Sequence, residues 1–276
     1  MASALSYVGR KVRALYDIIF HDAVLEGSRW TYISVRFDTF IRNLRRLDAR
    51  PRVPQRMVIR NRLGVFQIDL STDSLAKANP YFEHQLHSWI PMSNKTFIDI
   101  GANIGFYSFL ALKKRGYAKA LAFEPNPETF ATLAANIRLN ALDARMTAEK
   151  LALGNDRTEL RFKAEKEHTG ASRIITRKVA NPDELLSVQQ TTFDDYVREH
   201  EIDPAEFGYL KIDVEGFEKQ VLEGASNTLK RMSPGTRMQV EIWSIGRRKE
   251  WALPLITGAG FVHIDTFEDN YLFEKR

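Results

Sequence analysis

The run Tyr209-Leu210-Lys211-Ile212-Asp213-Val214-Glu215-Gly216 sets three ionisable residues at every second position of an apolar stretch. Period-two geometry sends Lys211, Asp213 and Glu215 to one face of a strand and Leu210, Ile212 and Val214 to the other. Unpaired burial of a charge costs on the order of several kcal/mol, so these side chains must pair with one another, pair with Glu241 on the next apolar run, or open into a cleft. Clustered ionisable groups at the C-terminal end of a strand are the expected form of an active site. Asp213 and Glu215 are the leading candidates for a general base, and Lys211 would stabilise their charge or a developing alkoxide. His168, in Glu167-His168-Thr169-Gly170, is a further candidate because histidine titrates near neutral pH. No set of oxygen ligands stands beside Asp213 in the sequence, so no metal is expected.

A second constellation is Phe97-Ile98-Asp99-Ile100-Gly101-Ala102-Asn103-Ile104-Gly105-Phe106, an apolar run that ends in a carboxylate and a glycine pair before entering a helix. In a doubly wound sheet, ligands sit beyond the carboxyl ends of the strands, where glycine permits close backbone approach. The dinucleotide pattern G-x-G-x-x-G is not met, and Asp99 stands two positions before Gly101. That disfavours a pyrophosphate and suits a ligand with a cationic sulfur and an amino-acid tail. Glu124 ends the run Leu121-Ala122-Phe123, placed to accept the hydrogens of two ribose hydroxyls, and Pro125-Asn126-Pro127 then turns the chain.

The elements that must position these residues alternate from Thr96 onward. Apolar runs at Thr96 to Ile100, Ala120 to Phe123, Leu151 to Leu153, Tyr209 to Val214 and Met238 to Trp243 are interleaved with helical stretches at Tyr107 to Lys114, Glu128 to Asn140 and Phe217 to Lys230. This is the signature of an α/β fold with a mostly parallel sheet and helices on both faces. Phe261 to Ile264 and Tyr271 to Phe273 read as a closing antiparallel hairpin, and Arg157 to Thr192 as a less periodic insertion. Ahead of the sheet stand a hairpin of Met57 to Ile59 with Val65 to Ile68, and a helix from about Ser74 to Trp89.

The first 50 residues read as an appendage of two amphipathic helices, one through Leu5, Val8, Val12, Leu15 and Ile19, the other through Trp30, Ile33, Phe37, Phe40, Leu44 and Leu47. Pro51 and Pro54 break the pattern and set the boundary, leaving 51–276 as the main domain. The net charge of +5 is uneven: residues 1 to 62 hold 13 Lys or Arg against 5 Asp or Glu, a local +8, so the remainder carries −3. These helices suit packing, a homodimer seam or peripheral contact with a membrane. With no cysteine among 276 residues, disulfides, thiolate metal sites and cysteine nucleophiles are excluded, which suits a cytoplasmic location. No stretch is expected to act as a signal peptide or membrane span.

Taken together, the motifs resemble the FkbM family of S-adenosylmethionine-dependent methyltransferases. The resemblance runs through Asp99 to Gly105, Phe123 to Pro127, Ala152-Leu153-Gly154, Thr192-Phe193-Asp194-Asp195-Tyr196, Leu210 to Glu218 and Val221 to Ala225, with Phe193 in place of an expected leucine. It covers about residues 81 to 243. It implies a class I, Rossmann-like fold and a S-adenosyl-L-methionine pocket formed by Asp99, Gly101, Asn103 and Gly105. It also implies Glu124 on the ribose, Pro125, Asn126 and Ala152 around the adenine, and Asp213 near the reacting centre. The implied acceptor is a hydroxyl oxygen of a sugar or other small molecule. A nicotinamide-dependent oxidoreductase, and a methyltransferase for a lipid-linked or macromolecular acceptor, are the alternatives. A nucleic-acid acceptor is disfavoured by the acidic Asp213-Val214-Glu215 tip.

Overall fold

The apolar runs beyond Thr96 assemble into one seven-stranded sheet, because strands covered on both faces need side chains that tolerate full burial. The computed structural model describes residue 16 and residues 22–45, 56–70, 73–163, 173–174, 185–242 and 248–276. The chain divides into two units, Met1–His84 and Gln85–Arg276.

In the first unit, strand β1 (Ala23–Glu26), helix α1 (Arg29–Arg45), strands β2 (Arg56–Arg60) and β3 (Val65–Asp69) and helix α2 (Ser74–Lys77) follow in order. The strands form an antiparallel sheet β1-β2-β3. This pairing crosses the division expected after residue 50: β1 lies opposite β2, with Ala23 against Arg60, and the unit runs on to His84. The expected packed face of α1 is corrected. Among its described side chains, Tyr32, Val35 and Arg36 are buried, while Trp30 and Phe37 are 82% and 52% exposed. The Tyr32 hydroxyl donates to Asp22 at 2.6 Å and accepts from Arg36 Nε at 3.2 Å, which explains why a tyrosine and an arginine take the inner face. The helix expected from Ser74 to Trp89 is broken into α2 and a single 3-10 turn at Leu86–Trp89. Pro80 lies between them, lacking an N–H and biasing Asn79 away from helical geometry. The expected helix through Leu5 to Ile19, apart from residue 16, and Pro51 and Pro54 lie outside the described residues.

The second unit comprises β4 (Thr96–Ile100), α3 (Phe106–Lys114), β5 (Lys119–Phe123), α4 (Pro127–Leu139), β6 (Met146–Glu149), β7 (Ala152–Gly154), β8 (Thr158–Lys163), β9 (Arg173–Ile174) and β10 (Leu186–Thr192). It continues with α5 (Phe193–Glu199), β11 (Phe207–Ile212), α6 (Glu218–Gly224), α7 (Ser226–Arg231), β12 (Arg237–Glu241), α8 (Arg248–Gly258), β13 (Phe261–Phe267) and β14 (Asn270–Lys275). The main sheet has the order β13-β14-β12-β11-β4-β5-β6, parallel from β12 to β6, with β14 and β13 antiparallel as the closing hairpin. The chain winds from β4 outward through β5 and β6, then returns to β11 on the other side. β4 and β11 therefore flank the reversal point, where an open α/β sheet leaves a crevice for ligands.

One face of the sheet presents Ile98, Ile100, Phe123, Leu210, Ile212 and Val240 to side chains of α5, α6, α7 and α8, among them Tyr196, Val221, Leu229 and Ile256. On the other, Phe97 stacks on Tyr209 at 5.3 Å and meets Tyr117 edge-on at 5.5 Å. Two expectations are corrected here. The third parallel strand is β6, not Leu151 to Leu153; its four residues Met-Thr-Ala-Glu carry too short a pattern to announce themselves, and pairing with β5 supplies the rest. β7 belongs instead to a four-stranded sheet β7-β10-β8-β9, built within and around the supposedly irregular insertion. The helix expected over Phe217 to Lys230 is divided at Ala225 into α6 and α7. Among the described residues, no helix is long and apolar enough to cross a membrane.

Candidate active site

Asp99, next to last in β4, is 1% exposed. Its Oδ2 accepts from the Ser108 hydroxyl at 2.7 Å and the Ser108 amide at 3.2 Å, both from α3. Oδ1 is buried without a hydrogen-bond donor. Burial raises the Asp99 carboxyl above its ordinary range, opposed by the Lys211 charge and the Ser108 hydrogen bonds.

The glycine bend that follows is held by the chain itself. The Gly101 and Ala102 amides both donate to the Phe123 carbonyl at 3.0 Å. Gly101 has φ +84, and a β-carbon there would lie 1.8 Å from the Asp213 carbonyl oxygen. The missing side chain therefore serves the passage of the neighbouring strand tip, whose Asp213 amide donates to the Ile100 carbonyl at 3.0 Å. Gly105, with φ +95, starts α3, and a β-carbon on it would press on Leu133 and Phe109. Asn103 is left-handed, at φ 50, and its side-chain oxygen accepts from the Ile104 amide at 2.9 Å.

Glu124, at the tip of β5, ties two turns together. Its Oε2 accepts from the Asn103 amide and its Oε1 from the Asn126 amide, both at 2.9 Å. The Asn126 side chain is the N-cap of α4, accepting from the Glu128 and Thr129 amides at 3.0 and 3.5 Å. Pro125, partly buried, lies between the two. The Glu124 amide donates to the Glu149 carbonyl at the tip of β6.

Asp213 and Glu215 leave the tip of β11. Lys211, 3% exposed, sits beside Asp99 in the parallel register and pairs with Asp213 Oδ2 at 2.7 Å. Its ammonium lies 4.7 Å from the centre of the Tyr107 ring, a favourable cation–π position. β11 ends at Ile212, so Glu215 is brought to the cluster by a left-handed turn, φ 53, rather than by strand alternation as expected. Glu241, at the end of β12, completes the group: carboxylate oxygens of Asp213, Glu215 and Glu241 all lie within 4.8 Å of one another. The expectation that Asp213 lacks neighbouring oxygen ligands is thus corrected, because strand pairing supplies Glu241. Such a trio has the chemistry to hold a divalent cation. Burial first, then the Asp213 and Glu215 charges, push Glu241 up to about 9, with Lys211 opposing. Like charges this close compete for protons, and Glu241 is the carboxyl held well above its ordinary range.

The structure therefore brings together Asp99, Gly101, Asn103, Gly105, Glu124, Pro125 and Asn126 around two adjacent turns, with Lys211, Asp213 and Glu215 beside them. Ala152, on β7, has its side chain buried in a small cluster with Phe162 and Val188. His168 lies outside the described residues. Sequence reasoning missed Ser108, Tyr107 and Glu149. Ser108, between Tyr107 and Phe109 on an otherwise apolar and buried helical stretch, carried a legible signal of polar pairing.

A parallel sheet that reverses between β4 and β11, with a glycine bend and carboxylates at adjacent tips, defines a Rossmann-like, class I methyltransferase architecture. Residues 99–274 match the Methyltransferase FkbM domain. The chain belongs to the FkbM methyltransferase family. Among curated relatives, it is 29% identical over 157 residues to methyltransferase sdnD of Sordaria araneosa, covering 48% of this chain and 61% of that one. It is 27% identical over 135 residues to hexuronic acid methyltransferase AglP of Haloferax volcanii, covering 49% and 52% respectively. The crystal structure of a methyltransferase FkbM from Methylobacillus flagellatus is similar with a TM-score of 0.47 and 14% identity, over 98% of this chain and 60% of that one.

Proposed function

We propose that the chain transfers a methyl group from S-adenosylmethionine to a hydroxyl oxygen of a sugar or other small-molecule acceptor. The observation that carries this reading is the contact between the two halves of the site: the Asp213 carbonyl passes over Gly101 while its carboxylate pairs with buried Lys211. Donor turn and candidate base are one construction. The family and the relative named for hexuronic acid support methyl transfer and a sugar acceptor, and they do not favour a nicotinamide-dependent reading.

The residues fit the cofactor. Asp99 Oδ1 is a buried acceptor without a donor, suited to an ammonium group, and Glu124 lies where ribose hydroxyls can reach a carboxylate. Asn103 orients the methionyl end, Pro125 and Asn126 border the adenine, and the backbone around Ala152 lies on its other side. Bound there, the cofactor supplies an electrophilic methyl on a cationic sulfur. Asp213 holds the acceptor hydroxyl in line and removes its proton as the new bond forms, worth about 10²–10⁴-fold in rate. Lys211 pairs with the Asp213 carboxylate and orients it for that task, and protonated Glu241 donates a hydrogen bond within the cluster. No metal is required in this scheme, since Lys211 and the Glu241 proton already offset the carboxylates. The absence of cysteine fits action in a reducing cytosol.

Calorimetric titration with S-adenosylhomocysteine and with NADH tests the donor half, and tight binding of NADH alone would reject it. Incubating labelled cofactor with glycan and small-molecule extracts tests the acceptor half, the expected product being a methyl ether. Turnover should survive chelation. Complete loss with rescue by a divalent cation would reassign the three carboxylates to a metal.

A further inference from the structure

We propose that the first unit docks on an anionic lipid surface through the outward face of α1. The proposal rests on Met1–His84 alone and stands apart from the reaction assigned to the second unit.

The helix has two apolar sides, and its own unit uses one. Tyr32, Val35 and Arg36 turn inward, while Trp30 and Phe37 stay 82% and 52% exposed, with partly buried Ile33 between them on the same helical stripe. Leu25, on the strand leading into the helix, is 44% exposed. Single exposed apolar residues are ordinary on a protein surface, but a tryptophan and a phenylalanine aligned two turns apart form a continuous stripe.

The charge carried by this unit's sequence points to the occupant. From Arg29 to Arg62 the sequence holds ten arginines and no lysine, against Asp38 and Asp48. Arg29, Arg56, Arg60 and Arg62 are exposed. An aromatic stripe on a basic unit is the arrangement that settles at the boundary between anionic headgroups and acyl chains, where tryptophan is favoured. A second copy of the chain would set two basic units against each other. A single-stranded nucleic acid would need aromatic platforms at base-stacking intervals, whereas Trp30 and Phe37 are about 10 Å apart along the helix axis.

The test is co-sedimentation of the full chain with vesicles of phosphatidylcholine alone and of phosphatidylcholine mixed with phosphatidylglycerol. Binding is expected to the mixed vesicles and to weaken with salt. Trp30→Ser combined with Phe37→Ser should lower it roughly tenfold or more, with the circular dichroism spectrum unchanged, and Trp30→Leu with Phe37→Leu should restore most of it. The proposal is overturned if the wild-type chain does not pellet with mixed vesicles, or if the serine variant pellets equally well. It also falls if the chain binds a labelled oligoribonucleotide but not vesicles, or if the serine substitutions convert a dimer to a monomer without affecting lipid binding.

Discussion

Two carboxylates at the site, Glu124 and Glu241, have opposite tasks. Glu124 holds two turns by their backbone amides, and Glu124→Ala leaves those amides without their acceptor, at about 1–3 kcal/mol for a buried group. The variant should unfold at lower temperature and bind S-adenosylhomocysteine roughly tenfold or more weakly; unchanged values in both measurements would show that the turns hold without it. Asp213→Asn should lower turnover by about 10²–10⁴-fold while leaving affinity for the same ligand nearly intact, and a parallel loss of both would remove Asp213 from the chemistry. Glu241 is raised from an ordinary 4.5 to about 9, so the folded chain holds this proton more tightly than the unfolded one. Its contribution to stability is full below the lower value and is lost as pH climbs through the upper one. Glu241→Gln stays neutral throughout, so its melting temperature should decline less than that of the wild type across that window. Superimposable profiles would count against the raised value.

At the level of strands and turns, glycine separates two kinds of constraint. Gly101 and Gly235 both have positive φ, but only Gly101 has a backbone oxygen within 1.8 Å of its notional β-carbon; around Gly235 there is nothing within 4 Å. Gly235→Ala should cost about 1 kcal/mol, from backbone conformation alone. Gly101→Ala must also displace the β11 tip, adding on the order of 1–3 kcal/mol; equal midpoints in urea would refute the close crossing. The same contrast explains what the sequence made legible. β4, β5, β11 and β12 were readable because buried parallel strands leave unbroken apolar runs ended by glycine or acid. β6 was not, since its four residues acquire meaning from their neighbour. The inward side of α1 was misread because apolar residues occupy both sides and a tyrosine–arginine–aspartate network decides between them. At the site, residue types were legible but proximity was not: Glu241 reaches Asp213 through strand pairing, and Glu215 through a left-handed turn.

Across the whole molecule, the order of the main sheet sets a gradient of protection. β4 and β11 are flanked by strands on both edges, whereas among the described residues β13 pairs only with β14 and is exposed along most of its length. Amide hydrogen exchange should therefore be slowest at β4 and β11 and fast at β13, and the reverse order would contradict the topology. The charge is divided as well: residues 1–84 hold 14 basic and 8 acidic residues, +6, which leaves +5 − 6 = −1 for residues 85–276. The passage of the Asp213 carbonyl over Gly101 reaches further, into descent. A lineage that gains any larger residue at position 101 must move the backbone at Asp213 in the same step, so the bend and the neighbouring strand tip are bound to one another. Laboratory evolution toward new acceptors should for that reason find its variation in the surrounding loops, and leave this rivet untouched.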